Sequence, residues 1–498
     1  MASVETVRDS GVPGDASQDA RRVDARLRGR KEMRRILLAM SGGMLILFCL
    51  VNFARVASAK GWRAGVARVE ITPEDTLWLA GYADRTHAAT GTLTKLWVKA
   101  LVLEDSLGHR GVLIASDLIG YPRAISDTIR NRLARRFELS RAQVLLNSSH
   151  THTGPAIRGR WNYIYHLHPV HVQAIDRYTD ALEDKVVKVV GEALEDLRPV
   201  VLRAGNGVVR FQVNRRNNGK LFPLDLQAEL AGPNQHDVPV LEVRSPGGAL
   251  RALAFGYACH GTVLNTYKWS GDYPGFAQLA LEKDFPEATA LFFQGCAGDQ
   301  NPLPRRSVPL ARQYGRELAV AVERVLEEPL RTLKPILRMA YREIPLALDP
   351  APSKAELKRF LAKAEGWQKD WAARMLERLE AGAEMPREYP YPVQVWRLGD
   401  QLLVALGGEP VIDYALEIKR VFGQQTFVFG YTNDVMAYIP STRVLREGGY
   451  EGATSQMVYD LPNTWRADVE WRIMGAVLEL AREVGASPQV EGVMETAP

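Results

Sequence analysis

Cysteine is scarce in this chain of 498 residues, which contains only three, at positions 49, 259 and 296. So few thiols exclude a small fold held together by disulfide bonds. The chain also lacks a strong excess of either charge, because its formal net charge is only +5, and this balance argues against a nucleic-acid-binding protein. Internal repeats are absent too, which excludes a solenoid or a propeller of equal units.

Long uncharged apolar runs are absent except for one, residues 36–54. As a helix this run would span about 28 Å at 1.5 Å per residue, close to a bilayer core of about 30 Å. Residues 1–35 are polar, are predicted to be disordered and end in a basic cluster, which predicts a cytoplasmic N-terminus. The run is therefore predicted to be a single-pass transmembrane anchor, with the remaining chain periplasmic or extracellular. A signal peptide cleaved near Ala59, which would give a secreted protein, and a buried helix are the alternatives.

The rest of the chain has the composition of a folded enzyme, with 46% hydrophobic and 24% charged residues over the whole sequence. Strand-like and helix-like segments alternate along it, at residues 64–71, 96–104, 111–115, 124–137, 144–146, 172–197, 252–257, 274–283, 288–293, 402–406, 427–429 and 469–484. This alternation predicts an α/β fold of mixed β-sheets flanked by helices. The predicted catalytic domain covers residues 62–485, and residues 486–498 are predicted to be a disordered tail.

Two histidines, His150 and His152, follow the apolar run 144–146, which is predicted to be a buried strand. Because strand side chains alternate between faces, positions i and i+2 point the same way. Gly154 and Pro155 then turn the chain, so both imidazoles are expected at the open end of a sheet, where metal and substrate sites are usually built. Two histidines in this spacing suit zinc, with further ligands from elsewhere in the chain. A pair of surface histidines in a loop is the alternative.

Three other ligand-type side chains, His260, Glu409 and Tyr438, also come shortly after apolar, strand-like runs. Glu409 lies between two glycines and a proline, where a carboxylate is poorly placed to pack, so function explains it better than folding. A single histidine after an apolar run is more often a hydrogen-bonded core residue. The recurrence of the pattern argues against coincidence and favours one site built from several strand ends.

With these elements the chain resembles the neutral, non-lysosomal ceramidases, which are zinc amidases that cleave the N-acyl bond of ceramide. The most specific match is His150-Thr151-His152-Thr153-Gly154-Pro155. The other matched motifs keep the family order between about Gly65 and Gly452, and they are Ile71-Thr72-Pro73, Gly81-Tyr82-Ala83, Ala115-Ser116-Asp117, Asn214-Arg215, Ser270-Gly271-Asp272-Tyr273-Pro274-Gly275, Gly298-Asp299 and Gly449-Tyr450-Glu451-Gly452.

The resemblance implies a zinc site whose ligands are His150, His260, Glu409 and Tyr438. It also implies that His152 and Tyr450 line the pocket and contact the scissile group, with Arg215 nearby. His152 and Tyr450 would donate hydrogen bonds to the developing oxyanion. Asp299 or Asp117 is predicted to orient a ligand histidine, and capping of a turn is the alternative role for both.

Two departures from the family concern the substrate. Ceramidases carry Gly-Asp-x-Ser-Pro-Asn, and here Asn301 stands where that serine would be. An amide cannot act as a serine-type nucleophile, although it can hydrogen-bond a substrate. The family's C-terminal β-rich domain is also expected to be missing, because little chain follows the helix-like segment 469–484. Both departures leave the predicted metal ligands in place.

The predicted function is therefore zinc-dependent hydrolysis of the N-acyl amide of ceramide or a related N-acylated lipid, through a metal-activated water. One alternative is a zinc hydrolase of the same fold that acts on a smaller, non-lipid amide or ester. The other is a non-catalytic homologue that binds a ligand without turnover. The expected partners are the lipid substrate and the membrane, without nucleic acid, and the sequence leaves the oligomeric state open.

Three histidines, His166, His168 and His171, lie in an aromatic stretch and are predicted to form a loop at the pocket rim rather than a second metal site. Arg158 and Arg160, just before them, are predicted either to attract an anionic headgroup or to be ordinary surface charges.

Two further predictions concern packing. Residues 353–384 are predicted to form one charged surface helix that caps the core. Cys259 and Cys296 each adjoin a tight glycine turn and are predicted to be small buried residues rather than thiol ligands.

Overall fold

The computed structural model describes residues 61–218 and 229–490. The predicted anchor, residues 36–54, lies outside these ranges, as do the predicted tail 1–35 and positions 491–498 of the predicted C-terminal tail. Across the described ranges, no helix combines the length and the apolar character needed to cross a bilayer.

The strands of the described residues are β1 (Trp62–Glu70), β2 (Gly91–Thr92), β3 (Trp97–Glu104), β4 (Arg110–Ser116), β5 (Val144–Ser148), β6 (Arg198–Val208), β7 (Gln212–Asn214), β8 (Asp237–Arg244), β9 (Leu250–Tyr257), β10 (Lys268–Trp269), β11 (Thr289–Gln294), β12 (Gln300–Pro302), β13 (Arg331–Thr332), β14 (Leu337–Ala347), β15 (Glu388–Leu398), β16 (Gln401–Leu406), β17 (Glu409–Pro410), β18 (Phe427–Phe429) and β19 (Tyr438–Ile439).

The α-helices are α1 (Arg123–Phe137), α2 (Trp161–Ile164), α3 (Pro169–Glu195), α4 (Arg215–Asn218), α5 (Asp272–Asp284), α6 (Val308–Glu327), α7 (Lys354–Leu361), α8 (Gly366–Glu380), α9 (Ile412–Phe422), α10 (Thr442–Glu447) and α11 (Val469–Glu483). Shorter 3-10 or π turns cover Arg141–Gln143, Tyr450–Thr454 and Ser455–Tyr459.

Two mixed sheets form the centre of the fold. The larger has the strand order β11-β9-β8-β6-β1-β3-β4-β5, with β13 paired to β6. Its β11/β9 and β4/β5 pairs are parallel, and the other pairs along the path are antiparallel. The smaller sheet has the order β14-β15-β16-β18, with only β16/β18 parallel. The predicted α/β fold with mixed sheets flanked by helices is confirmed.

The two sheets pack face to face, and helices cover their outer faces. Leu101 and Phe293 of the larger sheet meet Trp396 and Phe429 of the smaller one in the core between them. On the outer side, α1 and α3 cover one half of the larger sheet, and α5 and α6 cover the other half. Helices α9 and α11 cover the smaller sheet. The layers therefore run helix, sheet, sheet, helix.

Strand β3 shows why the central strands lack an alternating polar pattern. Val98, Ala100 and Val102 face the covering helices, whereas Leu101 and Leu103 face the second sheet. Because both faces are buried, apolar residues fill positions 100–103 without a break, and the charged Lys99 before them is buried and pairs with Glu282 at 2.7 Å. Full burial of each of its Val or Leu side chains contributes roughly 1.5–3 kcal/mol relative to exposure.

Most predicted elements match the structure, but the single helix predicted for residues 353–384 is wrong. Two helices, α7 and α8, occupy this region, and Gly366 between them has a φ of +52°, a left-handed conformation that interrupts a right-handed helix. The pair encloses a small apolar cluster of its own around Trp371 and Met375. The charged residues along this segment fit the outer face of one helix as well as of two, so the sequence pattern did not reveal the break.

The prediction for the two central cysteines is confirmed. Cys259 and Cys296 are free thiols with no exposed surface, and each lies in an apolar cluster. Burial raises the pKa of both thiols far above its usual range, which suits a packing role.

Candidate metal centre

The candidate centre is built on the loops that follow four strands. His150 comes after β5, His260 after β9, Glu409 after β16 and Tyr438 after β18. Each of these strands belongs to a parallel pair, β4/β5, β9/β11 or β16/β18, and loops at the carboxyl ends of parallel strands commonly form binding sites. An isolated bridge between Thr151 and Gly261 ties the His150 loop to the His260 loop.

Glu409 and Tyr438 are paired by the backbone itself. The short strands β17 and β19 are parallel, and their register sets Glu409 directly opposite Tyr438. Residues opposite each other in a ladder point to the same side of it. The carboxylate and the phenol are therefore fixed as neighbours before any side-chain contact is considered.

Their polar atoms converge with those of the histidines. Nε2 of His150 and Nε2 of His260 each lie 3.2 Å from the same oxygen, Oε2 of Glu409. The hydroxyl oxygen of Tyr438 lies 3.3 Å from Nε2 of His260. All four side chains are buried, with at most 4% of their surface exposed. The structure thus brings together the four ligands predicted from the sequence.

Backbone carbonyls fix the orientation of two imidazoles. Nδ1 of His150 donates to the carbonyl oxygen of Ile119 at 2.6 Å, and Nδ1 of His260 donates to that of Ala297 at 2.6 Å. A carbonyl can only accept, so the proton of each neutral ring is on Nδ1. Both Nε2 lone pairs are consequently directed at the carboxylate of Glu409.

This arrangement leaves acceptor atoms facing acceptor atoms. Burial is the main reason that the pKa of His260 is lowered to about 4, so its ring is neutral at pH 7. A metal cation bound between these atoms would accept the Nε2 lone pairs and balance the charge of the Glu409 carboxylate. The donor set of imidazole, carboxylate and phenol oxygen fits a divalent transition metal.

His150 also has an unusual backbone. Its φ is +57°, in the left-handed region that residues with a Cβ rarely adopt. Such a conformation costs on the order of 1–3 kcal/mol and persists only where the surroundings fix it, often at functional sites. Asn147 provides part of that support, because its amide donates to the carbonyl of Gly430 at 2.8 Å and to Oγ1 of Thr432 at 3.1 Å.

His152 lies beside the four predicted ligands but is held differently. Its Nε2 is 3.3 Å from Nε2 of His150, and the ligand nitrogens of His150, His152 and His260 all lie within 4.8 Å of one another. Its Nδ1 is buried and has no hydrogen-bond partner among the described residues. No carbonyl fixes its tautomer, so Nε2 is free to carry the proton and to donate into the cavity.

Arg215 and Tyr450 also lie at the centre, as predicted. Nη2 of Arg215 donates to the hydroxyl of Tyr438 at 3.1 Å, and Nη1 is 3.5 Å from Nε2 of His260. The ring of Tyr450 packs edge-on against Tyr438, with centroids 5.3 Å apart. Burial raises the pKa of Tyr438 well above its usual range, and the cation of Arg215 opposes that effect.

The prediction that Asp299 or Asp117 orients a ligand histidine is wrong, because carbonyls occupy both Nδ1 positions. The carboxylate of Asp299 accepts from the backbone N–H of Ile412 at 2.9 Å and from the amide of Asn214 at 2.8 Å. That of Asp117 accepts from the backbone N–H of Trp97 at 2.9 Å. Both therefore stabilise loops at the strand ends.

Asn301 likewise makes its side-chain hydrogen bond away from the predicted ligands. It belongs to β12, where it pairs with Val213 of β7. Its Oδ1 accepts a hydrogen bond of 3.4 Å from the hydroxyl of Thr262. Asn301 is absent from the residues lining the cavity described below.

Sequence reasoning missed two tyrosines that contact Glu409. The hydroxyl of Tyr459 donates to Oε1, and that of Tyr431 lies 3.4 Å from Oε2. The ring of Tyr431 also packs against His150, with centroids 4.4 Å apart. Tyr431 could have been suspected from the sequence, because it comes shortly after β18. No comparable feature of the sequence marks Tyr459.

The ligands open into a cavity of about 150 Å³. Its lining combines polar and apolar residues and comprises Gly81, Ala83, Ile119, His150, His152, Arg160, Trp161, Ile164, Trp367, Glu409, Tyr438, Tyr450, Val458 and Tyr459. Trp161 and Ile164 of the short helix α2 line this cavity, whereas His166, His168 and His171, which were predicted to form a loop at its rim, are not among the lining residues. His168 directly precedes helix α3 and His171 lies within it, whereas His166 contacts Asp370 at 3.1 Å.

Comparison with known proteins gives consistent matches. The family model for "Neutral/alkaline non-lysosomal ceramidase, N-terminal" matches residues 62–303. Neutral ceramidase of Drosophila melanogaster is 23% identical over 259 residues, which cover 50% of this chain and 36% of the relative. Neutral ceramidase of Oryza sativa is 24% identical over 159 residues, 31% of this chain and 20% of the relative. The matches to these curated relatives thus span about a third of their length or less.

Solved structures extend the likeness of fold beyond residue 303. The crystal structure of neutral ceramidase from Pseudomonas aeruginosa superposes with a TM-score of 0.67 at 19% identity, covering 88% of this chain and 76% of that one. A structure described as ceramidase complexed with C2 has the same TM-score and identity, with 85% and 75% covered. Residues 62–303 thus match the N-terminal model of the neutral/alkaline non-lysosomal ceramidases, and the chain as a whole shares its fold with solved ceramidase structures.

Proposed function

We propose that the protein is a zinc-dependent hydrolase that cleaves the N-acyl amide bond of ceramide or a related N-acylated lipid. One observation carries the proposal: Nε2 of His150 and Nε2 of His260 approach a single oxygen of Glu409, with both Nδ1 protons given to carbonyls. A core histidine with only a structural role would place a donor, not a lone pair, against a carboxylate.

His150, His260, Glu409 and Tyr438 would hold the zinc ion. When bound, zinc acts as a Lewis acid, polarising a carbonyl and lowering the pKa of water from 15.7 towards about 7. Nitrogen and oxygen ligands of this kind are typical of catalytic zinc sites. The charge of Arg215 beside Tyr438 favours the anionic form of the phenol, which is the form that donates most strongly to a metal.

Other side chains are placed to act on the substrate. The hydroxyl of Tyr450 keeps its proton at pH 7, because the ordinary pKa of a tyrosine is about 10 and partial burial raises it further. Together with Nε2 of His152, it can donate a hydrogen bond to a carbonyl oxygen that gains negative charge. Each well-placed donor of this type contributes roughly 3–4 kcal/mol to the transition state. His152 and Tyr450 line the same cavity as Glu409 and Tyr438.

The apolar part of the cavity lining supports an acyl substrate. This wall includes the apolar side chains of Ile119, Trp161, Ile164, Trp367 and Val458. Burial of a hydrocarbon chain against such a surface contributes about 25 cal/mol per Å² of apolar area removed from water. A small, polar amide could not use this wall, so the structure favours the lipid hypothesis over the non-lipid alternative.

Metal analysis and kinetics test the proposal. Purified protein should contain about one zinc per chain, and His150→Ala should lose both the metal and hydrolysis of N-acylsphingosine. His166→Ala is the control, because His166 is exposed and contacts only Asp370. A series of N-acyl chains from two to sixteen carbons separates the alternatives. Rising kcat/KM with length supports a lipid amidase, equal values support a small-amide hydrolase, and zinc without any turnover supports a binding homologue.

We also propose that the domain is held outside the cytoplasm by residues 36–54 as an uncleaved anchor. The basic residues before this run and its length support the proposal. The intact mass of the protein from detergent-extracted membranes tests it. Recovery of a soluble form that begins after Ala59 would show cleavage instead.

A further inference from the structure

Two arginines of one loop have very different surroundings. The guanidinium of Arg158 contacts Asp176 at 3.0 Å and Asp180 at 2.6 Å on the surface of α3. Arg160, two residues later, has no ion pair with any carboxylate among the described residues, and its buried Nε has no hydrogen-bond partner there. The sequence offers no reason to distinguish these two arginines. In the structure, Arg158 is paired with surface carboxylates, whereas Arg160 has no ion pair among the described residues.

Arg160 faces the reaction site rather than bulk solvent. It lines the same cavity as His152 and Tyr450. Its guanidinium carbon lies 3.9 Å from the ring centroid of Tyr459 and 4.8 Å from that of Trp161. The hydroxyl of Tyr459 in turn donates to Glu409. One aromatic ring thus separates the free cation from a predicted metal ligand, and cation–π contacts hold it in place.

The oxygens of Glu409 are directed at His150, His260 and Tyr459, and two other carboxylates, Asp460 and Glu451, are engaged with other arginines. Asp460 pairs with Arg374 and Arg378. Glu451 pairs with Arg215 and Arg216. Neither carboxylate neutralises Arg160. A buried or half-buried cation without a partner costs free energy, so its persistence points to a partner supplied by the ligand.

We propose that Arg160 determines substrate specificity by binding an anionic group, carboxylate or phosphate, on the amine half of the N-acylated substrate. The planar guanidinium fork matches the oxygens of either group through paired charge-assisted hydrogen bonds. The apolar wall receives the acyl half, which leaves the charged half for Arg160. The inference rests on the proposed amide hydrolysis and adds that N-acyl lipids with an anionic group on the amine half are preferred to neutral ones such as ceramide.

Paired substrates test this directly. The ratio of kcat/KM for N-lauroylglycine to that for N-lauroylglycinamide compares a carboxylate with its neutral isostere, so a general change in activity cancels. We expect a ratio of about ten or more for the wild type, close to one for Arg160→Gln, and unchanged for the matched control Arg158→Gln. Arg160→Lys, which keeps the charge, should retain part of the preference. A second pair, N-lauroyl-phosphoethanolamine and N-lauroylethanolamine, shows whether phosphate or carboxylate is preferred.

A binding measurement separates this inference from the proposed function. Dodecyloxyacetate carries the carboxylate and an alkyl chain but no scissile amide, and calorimetry gives its Kd without turnover. Arg160→Gln should weaken binding about tenfold or more, while Arg158→Gln should not change it. If the wild type hydrolyses no amide but binding still depends on Arg160, the proposed function fails and the anion site stands. Equal binding by wild type and Arg160→Gln overturns the anion site, whatever the catalytic result.

Discussion

Glu451 accepts a 2.7 Å hydrogen bond from Nε of Arg215, and this contact connects the turn at Tyr450–Thr454 to the candidate metal centre. Its other oxygen accepts from Nη1 of Arg216 at 2.6 Å. Arg215 lies against Tyr438 and His260, so the carboxylate of Glu451 positions a cation that touches two predicted ligands.

Replacement of Glu451 by glutamine should therefore impair the centre without removing the metal. The neutral amide cannot balance two guanidinium groups, so Arg215 should shift from Tyr438, and kcat/KM should fall about tenfold or more. Loss of the buried charged acceptor should lower the free energy of unfolding by about 1–3 kcal/mol. Glu447→Gln is the control, since Glu447 pairs with Arg216 from an exposed position. Unchanged kinetics in Glu451→Gln would show that Arg215 does not depend on this contact.

Gly81 should be intolerant of a side chain because of His152. A Cβ at this position would lie 2.5 Å from Cγ of the His152 ring, and its φ is +102°. Gly81→Ala should push the imidazole aside and lower kcat while zinc content is retained. Gly108→Ala is the matched control, because its φ of +85° imposes a similar backbone strain with nothing within 4 Å of the added atom. Equal kcat values for the two variants would contradict a catalytic position for His152.

Stability should depend on pH through Asp434. Burial is the main reason that its pKa is raised from 3.8 to about 7, against the opposing effects of Tyr389 and Arg123. The folded state then binds a proton that the unfolded state releases, so stability falls as pH rises between 3.8 and about 7. The slope from this one group is at most about 1.4 kcal/mol per pH unit.

Asp434→Asn stays uncharged and should lose that component of the pH dependence. Urea denaturation at several pH values measures it, and the slope of unfolding free energy against pH should change by up to one proton relative to wild type. Asp400→Asn, which alters an exposed partner of Arg331, is the control. Parallel curves for wild type and Asp434→Asn would show that the carboxyl titrates alike in both states.

The sequence predicted the candidate site best where a ligand-type side chain follows a strand. His150, His260, Glu409 and Tyr438 were recognisable because each follows an apolar run, and the resemblance to a family assigned them to one site. The structure brings all four together. Continuous apolar runs likewise predicted the strands buried on both faces.

Other parts of the centre carry no such signal. The carbonyls of Ile119 and Ala297 orient the imidazoles, and a backbone group has no signature in a sequence. Asp299 illustrates the opposite error, because its position after a glycine suggested a role beside a histidine, whereas its carboxylate accepts from the backbone N–H of Ile412. Tyr459 reaches Glu409 across 50 residues of chain from a turn that no pattern marks.

Anomalous X-ray scattering from crystals of zinc-loaded protein, recorded on both sides of the zinc absorption edge, tests the central claim most directly. The claim predicts one zinc-specific peak per chain, about 2.0–2.2 Å from the Nε2 atoms of His150 and His260 and from the carboxylate of Glu409. A map without a peak there, or with its peak at His166, His168 and His171, would contradict it.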